Sequence, residues 1–186
     1  MHANELIELR KNIQSFFNTK VLKYNYDRVL EFGAMTCVED CAIPEYYFDT
    51  KKELEMRGSE YHRCDPFMNN FKNSFMGDMT IWNEEFEKRK NSYDAIIAFE
   101  CLEHSKEFWK TPEIFYNLLK PNGKLFITVP FYFFIHHHNN YKDYWRFTDE
   151  GLNLLYSKYF DCNIKFLNNE NSRPISITLI GERKNG

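Results

Sequence analysis

Residues 26–33 read YDRVLEFG, a short apolar run that ends in a glycine. This pattern is typical of a buried parallel strand that leads into a turn, because a strand covered on both faces needs no polar alternation. Residues 93–100, YDAIIAFE, and residues 124–130, KLFITVP, have the same apolar character. We therefore predict that these stretches are the first, fourth and fifth strands of one sheet.

Weaker patterns predict the other strands. EYYFD, which ends at Asp49, is the predicted second strand, and residues 74–79 are the predicted third. Residues 50–72 between them have no clear period, so we expect a helical turn followed by a long loop. Residues 162–167 and 175–181 are predicted to form the two final strands.

Helices are predicted between these strands. Apolar residues near helical spacing indicate a leading helix over residues 4–18. Thr111, with Pro112 in the first turn, and Thr148, followed by two acidic residues, are predicted helix starts. The alternation implies right-handed strand–helix–strand units. We expect one domain over residues 1–186 with an α/β fold: a doubly wound, mostly parallel sheet with helices on both faces.

Composition argues against several classes of protein. Hydrophobic residues make up 43% of the chain, but no uninterrupted stretch is long enough to span a bilayer. A net charge of -3 with scattered lysines gives no basic stripe, so nucleic acid is not an expected partner. The five cysteines include no CxxC pair, which disfavours a disulfide framework or zinc knuckle. The N-terminus does not resemble a secretory signal, so we expect a cytoplasmic protein.

The predicted topology also indicates where a ligand binds. Open parallel sheets bind ligands outside the carboxyl ends of their strands. The residues that follow the predicted strands are Gly33 to Cys37, Asp49, Asp78, Glu100 to His104, and the loop after Pro130. Several of them are acidic or titratable, as a site for a polar ligand requires.

The motifs at these positions resemble those of the class I S-adenosylmethionine-dependent methyltransferases. VLEFGAMTC, residues 29–37, is similar to their first motif, and YDAIIAFECLEH with the later LLKPNGKLFITVPF resembles their later motifs. The resemblance covers residues 26–160 and implies a Rossmann-like methyltransferase fold with an antiparallel last strand. HHHNNYKDYWRFTDEGL, residues 136–152, resembles a subgroup in which a histidine precedes a D-Y-W-R-F-T string. That subgroup is often associated with glycan or surface-polysaccharide modification.

This resemblance implies S-adenosylmethionine as the cofactor. The residues it assigns to the cofactor are Glu31, Gly33, Ala34, Met35, Asp49, Asp78, Met79 and Glu100. Gly33 and its neighbours would line the methionine end, with Glu31 supporting the turn. Asp49 would accept hydrogen bonds from the ribose hydroxyls, and Asp78 would accept one from the adenine amine while Met79 packs on the ring. Glu100 would lie beside the reactive methyl group.

The first turn departs from the G-x-G-x-G pattern of that family. Met35 and Cys37 replace its second and third glycines. Glycine is favoured there because a Cβ obstructs close approach of the backbone to a ligand. This departure supports an alternative function: a degenerate methyltransferase fold without cofactor that acts as a binding or scaffolding module.

Histidines are the candidate catalytic bases. An alcohol that attacks a methyl sulfonium must lose its proton, and imidazole titrates near neutrality. Counting back from Trp145 selects His138, whereas counting forward from Pro130 selects His136, and both remain candidates. Asp143 would orient the histidine.

Three further residues are candidates for acceptor binding: His104, Tyr144 and Arg146. In the alternative interpretation, His104 orders its own loop and the other two pack the following loop against the sheet. Adjacent histidines in an extended loop point in alternate directions, so we expect no metal site at the histidine run. A metal-dependent hydrolase is therefore the least favoured hypothesis.

The leading hypothesis is methyl transfer from S-adenosylmethionine to oxygen. The expected partner is a small-molecule or glycan acceptor, and catalysis would depend mainly on positioning, with water excluded. An aromatic-rich chain of this length could also form a homodimer.

Overall fold

The computed structural model describes residues 2–33, 50–67, 73–136, 141–168 and 172–185, with the backbone alone for residues 2–6. Among these residues, seven strands form one sheet: β1 (Arg28–Phe32), β2 (Glu60–Asp65), β3 (Ser74–Met76), β4 (Tyr93–Phe99), β5 (Leu119–Pro130), β6 (Phe160–Asn168) and β7 (Pro174–Arg183). The α-helices are α1 (His2–Phe16), α2 (Thr50–Met56), α3 (Glu84–Glu87), α4 (Thr111–Leu118) and α5 (Asp149–Tyr156). A π-helical turn, Phe17–Val21, extends α1.

The strand order across the sheet is β3-β2-β1-β4-β5-β7-β6. β1 is an interior strand and pairs in parallel with both β2 and β4. Of the strands in the described residues, only β7 runs antiparallel to its neighbours, β5 and β6. The predicted doubly wound, mostly parallel sheet with an antiparallel last strand is confirmed. Strand order reverses between β1 and β4, so their carboxyl ends flank a crevice.

Apolar side chains from the central strands cover both faces of the sheet. In β4, Ile96 belongs to one buried cluster and Ile97 to the other; in β5, Ile127 and Phe126 divide in the same way. Helices α4 and α5 pack on the first cluster, and α1 with its π-helical turn and α2 pack on the second. Because successive strand side chains point to opposite faces, the continuous apolar runs in the sequence produce this two-sided core.

The helical turn predicted at the start of residues 50–72 is confirmed as α2, but the long loop predicted after it is wrong, since β2 lies there. β2 reads EYHRCD, and its polar side chains have specific partners. Arg28 on β1 pairs with Glu60, and the imidazole of His62 contacts the Tyr93 hydroxyl at 2.8 Å. Buried strands are usually predicted from an apolar pattern, and β2 lacks one because it carries paired polar side chains instead. The EYYFD stretch lies outside the described residues.

Both predicted helix starts are confirmed. α4 begins at Thr111 with Pro112 in its first turn. Thr148 caps α5, because its hydroxyl oxygen accepts a hydrogen bond from the Gly151 backbone N–H at 3.0 Å. None of the described helices combines the length and apolar character needed to cross a membrane.

Candidate active site

A cleft of about 410 Å³ lies at the carboxyl ends of the central strands. Its lining includes Gly33 after β1, Asp65 at the end of β2, Asp78 after β3, and His104 in the segment after β4. These side chains come from four separate parts of the sequence. The topology brings them to one edge of the sheet, where the sequence predicted a ligand site.

Gly33 allows β1 and the segment after β4 to approach closely. Its φ is +74°, and a Cβ built on it would lie 2.6 Å from the Cβ of Cys101. Its N–H donates to the Cys64 carbonyl at 3.2 Å, which anchors the turn to β2. Both the backbone conformation and the space therefore require glycine at this position.

Asp65 occupies the position at the end of the second strand that was predicted for Asp49. It is 3% exposed, and its Oδ1 accepts a hydrogen bond from the Phe67 N–H at 2.8 Å. Burial raises the pKa of the Asp65 carboxyl, and nearby Asp78 raises it further. Asp49 lies outside the described residues. Asp65 was not among the predicted site residues, although the Asp65–Pro66 pair is a recognisable end signal for a strand.

Asp78 and Met79 lie on the cleft, as the adenine assignment requires. Oδ1 of Asp78 accepts from the backbone N–H of Thr80 at 2.8 Å and from its hydroxyl at 2.7 Å. These bonds fix the carboxylate at the end of β3. Met79 packs against the first buried cluster.

Glu31 does not line the cleft. Its side chain lies on the face of the sheet that carries the second buried cluster. The hydroxyls of Thr50 and Tyr61 both donate to its carboxylate, the former at 3.1 Å. Glu31 therefore ties α2 and β2 to β1 beneath the turn, in keeping with the predicted support for that turn. Its predicted neighbours Ala34 and Met35 lie outside the described residues.

Glu100 follows β4 with a positive φ of +46°, which is rare for a residue with a side chain. Its Oε1 accepts from the Ser176 hydroxyl at 3.1 Å. Among the described residues, its buried Oε2 has no hydrogen-bond partner. Burial raises the pKa of Glu100 to about 7. The carboxylate thus points toward β7, and Glu100 does not line the cleft that was predicted to hold the methyl group.

Glu103, His104 and His136 converge beside the cleft. Oε1 of Glu103 lies 3.5 Å from Nε2 of His104 and 3.8 Å from Nε2 of His136. Glu103 is 0% exposed, and neither of its carboxylate oxygens has a hydrogen-bond partner among the described residues. Burial raises the pKa of Glu103 well above its usual range, and repulsion from Glu100 adds to this.

The other ring nitrogens of the two histidines face oxygen atoms. Nδ1 of His104 donates to the Lys142 carbonyl at 2.8 Å. Nδ1 of His136 lies 3.2 Å from Oδ2 of Asp143, which also accepts from the His136 backbone N–H at 2.9 Å. Burial lowers the pKa of His104 to about 4. Asp143 therefore contacts His136 as predicted, whereas His138 lies outside the described residues.

The loop from Asp143 to Arg146 borders a second cavity of about 480 Å³, whose other wall is Phe131 to Ile135. Arg146 binds both oxygens of Asp143, and it also donates to the Phe134 carbonyl at 2.9 Å. Trp145 Nε1 donates to the Ser105 carbonyl at 2.9 Å. Arg146 and Trp145 therefore organise the loop, while the exposed Tyr144 lines both cavities.

Comparisons with known proteins agree with this architecture. The sequence model of a family described as a methyltransferase domain matches residues 7–160. No curated protein sequence matches the chain. A solved S-adenosylmethionine-dependent methyltransferase from Archaeoglobus fulgidus has a TM-score of 0.64 at 14% identity, covering 94% of each chain.

Two further solved structures share the fold. A protein from Pyrococcus horikoshii has a TM-score of 0.64 at 15% identity, covering 94% of this chain and 91% of its own. The 1,6-didemethyltoxoflavin-N1-methyltransferase of Burkholderia thailandensis, solved with 1,6-didemethyltoxoflavin and S-adenosylhomocysteine, has a TM-score of 0.60 at 12% identity. That match covers 100% of this chain and 91% of the other. At such identities the similarity concerns the fold.

Proposed function

Because this chain belongs to the methyltransferase-domain family, we propose that it transfers a methyl group from S-adenosylmethionine to an oxygen atom of a small or carbohydrate-like acceptor. The observation that carries this proposal is the composition of the cleft. Two strand-end carboxylates and a turn that requires glycine share it with the imidazole of His104. The cleft therefore combines a nucleoside-binding end with a polar, histidine-containing end.

The described residues fit the cofactor. Paired ribose hydroxyls are donors, and Asp65 at the end of β2 is an acceptor of matching type. Asp78 suits the adenine amine in the same way, with Met79 beside it for the ring. Gly33 lets the turn after β1 lie close to Cys101 at the cleft, where the methionine end would lie. When bound, S-adenosylmethionine supplies a methyl group on a positively charged sulfur.

The histidine-containing end favours oxygen as the acceptor atom. An amine can attack with its own lone pair, whereas a hydroxyl must also give up its proton. Glu103, His104 and His136 place a buried carboxyl and two imidazoles beside the cleft, where together they can promote the loss of that proton. Asp143 orients His136 by contacting its Nδ1, so that Nε2 faces the cluster.

The second cavity favours an acceptor with apolar ring faces. The exposed rings of Tyr132 and Trp145 line it, and Tyr144 connects it with the cleft. Aromatic side chains bury large flat apolar surfaces, which suit the C–H faces of a sugar ring. Methyl transfer itself needs the acceptor oxygen, the methyl group and the sulfur nearly in line, which is a matter of positioning.

The test is transfer of isotope-labelled methyl groups from S-adenosylmethionine to a panel of sugars and simple alcohols, with matched amines. We expect label in an acid- and base-stable ether on a hydroxyl compound. In His136→Asn we expect kcat to fall at least about tenfold, since one contributor to proton removal is lost, with S-adenosylhomocysteine binding unchanged.

Asp161→Asn is the matched control, because Asp161 is an exposed acidic residue on β6, away from the cleft. It should leave both activity and binding as in the parent chain. Label found on amines alone would contradict the choice of oxygen, and no binding of S-adenosylhomocysteine would contradict the proposed function as a whole.

A further inference from the structure

Among the described residues, no Lys or Arg side chain is bound to the carboxyl group of Glu103, and the two imidazoles beside it lie beyond good hydrogen-bond distance. Its carboxyl group is fully buried, and neither oxygen has a hydrogen-bond partner among the described residues. The nearby guanidinium of Arg146 is already bound to Asp143 and to backbone carbonyls. A buried carboxylate is costly without a cation or donors, and an unsatisfied one calls for a physical explanation.

The spacing of the cluster matches ligation of a metal ion. Glu103, His104 and His136 each offer one ligand atom, and these atoms all lie within 4.8 Å of one another. The Oε1 to Nε2 distances of 3.5 and 3.8 Å are too long for good hydrogen bonds. With metal–ligand distances near 2.1 Å, the edge of a tetrahedron is ~3.4 Å, so small side-chain movements would place all three atoms around one ion.

The outer contacts of both histidines are those of metal ligands. Histidines that bind a metal donate their other ring N–H to a carbonyl or carboxylate, which fixes the tautomer and the ring. His104 donates its Nδ1–H to the Lys142 carbonyl, and Nδ1 of His136 faces Asp143. Asp143 is in turn held by Arg146. Both Nε2 atoms are thereby directed toward Glu103.

We propose that Glu103, His104 and His136 bind a divalent transition-metal ion of the Zn²⁺ type at the acceptor end of the cleft. Two imidazoles and one carboxylate form a ligand set typical of such ions, and three protein ligands leave a position open. This site deepens the proposed function and rests on it: the open position takes the hydroxyl oxygen of the acceptor. No metal was expected from the sequence, because adjacent histidines alone cannot surround one ion and Glu103 is distant from them along the chain.

The ion explains how the hydroxyl is deprotonated. A bound divalent cation makes a coordinated hydroxyl more acidic, so the O–H bond breaks and the proton passes to water. The electron pair on oxygen then forms the new bond to the methyl carbon, while the carbon–sulfur bond breaks and its pair stays on sulfur. Nε2 of His136 acts on the acceptor through the ion, and Asp143 positions that histidine.

Metal titration of the untagged, chelator-treated chain of residues 1–186 tests the site. We expect one Zn²⁺ per chain by calorimetry, and Co²⁺ in its place should give the visible absorption of a nitrogen- and oxygen-ligated tetrahedral ion. Glu103→Gln keeps the shape of the side chain but removes its charge, and should weaken Zn²⁺ binding ~100-fold. His104→Gln is the second variant, in case the first does not fold.

Two controls separate this site from other histidines. His62→Gln removes a histidine that also lies beside a glutamate, Glu60, but belongs to β2 outside the cluster, and Zn²⁺ binding should be unchanged. A double variant, His137→Asn with His138→Asn, tests the adjacent histidine run. If that double variant abolishes binding while Glu103→Gln and His104→Gln retain it, the proposal is overturned, as it is if the parent chain binds no Zn²⁺.

S-adenosylhomocysteine binding is measured on the same samples, with and without Zn²⁺. Of the three proposed metal ligands, only His104 lines the cleft. Glu103→Gln should therefore bind S-adenosylhomocysteine as the parent chain does. If a variant loses Zn²⁺ binding but still binds S-adenosylhomocysteine, the substitution has affected the metal site and not the cofactor site. Failure of S-adenosylhomocysteine to bind the metal-loaded parent chain concerns the proposed function.

Discussion

At the residue scale, Gly33 and Gly58 share a backbone conformation and differ in their surroundings. Their φ angles are +74° and +87°, yet a Cβ on Gly33 would meet Cys101 at 2.6 Å, whereas one on Gly58 would meet nothing within 4 Å. Gly58→Ala measures the cost of the conformation alone, about 1 kcal/mol. Gly33→Ala adds a steric clash with the segment after β4.

We therefore expect Gly33→Ala to lower the free energy of unfolding by ~1–3 kcal/mol more than Gly58→Ala does. It should also weaken binding of S-adenosylhomocysteine, because the turn moves away from β4. Urea denaturation and calorimetry of both variants measure these effects. Equal losses of stability in the two variants would show that Gly33 is not sterically constrained.

His62 gives the protein a pH-dependent stability at a place remote from the cleft. Burial lowers the pKa of its imidazole more than neighbouring Glu60 raises it, and the charges of Arg28 and Arg89 lower it further. The hydroxyl of Tyr93 contacts Nδ1. Since the pKa is near 6.5 in the unfolded chain and lower in the folded one, the unfolded state binds more protons as pH falls.

This stability is fully present above about pH 6.5 and is lost progressively below it. In His62→Gln, the fall in the free energy of unfolding between pH 7 and pH 5 should be smaller than in the parent chain. Other groups titrate in the same window, so the quantity to compare is the difference between the two chains. An identical pH dependence in both would contradict this role of His62.

At the element scale, the sequence predicted those helices and strands that form because of signals within their own residues. The continuous apolar run of β4 and the starts of α4 and α5 are of this kind. β2 was missed because its polar side chains hide the apolar pattern, and their partners on β1 and β4 are not evident from the sequence. The same reason explains the site: Asp78 was found from a strand end, whereas the approach of Glu103 to His136 depends on the folding of two distant segments.

The cap of α5 allows a matched test at this scale. Thr148→Ala removes the acceptor for the Gly151 N–H and should lower the free energy of unfolding by about 1 kcal/mol, while Thr148→Ser keeps the hydroxyl and should lose much less. Chemical denaturation compares the two. A loss of the same size in both variants would assign the effect to the threonine methyl group instead.

At the scale of the whole molecule, one sheet separates two apolar clusters. Leu152 on α5 belongs to the first cluster and Val29 on β1 to the second, and both are 0% exposed. Because adjacent residues of the same strands supply both clusters, we propose that residues 1–186 fold as one domain. Destabilising either face should then destabilise the whole.

Leu152→Ala and Val29→Ala should each lower the free energy of unfolding by ~2–4 kcal/mol. In both variants, far-UV circular dichroism and tryptophan fluorescence should report the same single urea transition, as in the parent chain. Two separate transitions, with each variant shifting a different one, would indicate that the faces fold independently.

Binding of S-adenosylmethionine at the carboxyl edge of the sheet underlies every proposal for this protein, and calorimetric titration with S-adenosylhomocysteine measures it. We expect one site per chain, with affinity reduced about tenfold or more in Asp65→Asn and in Asp78→Asn, and unchanged in the control Asp161→Asn. Binding that is indifferent to both cleft carboxylates, or no heat of binding at millimolar ligand, would contradict it.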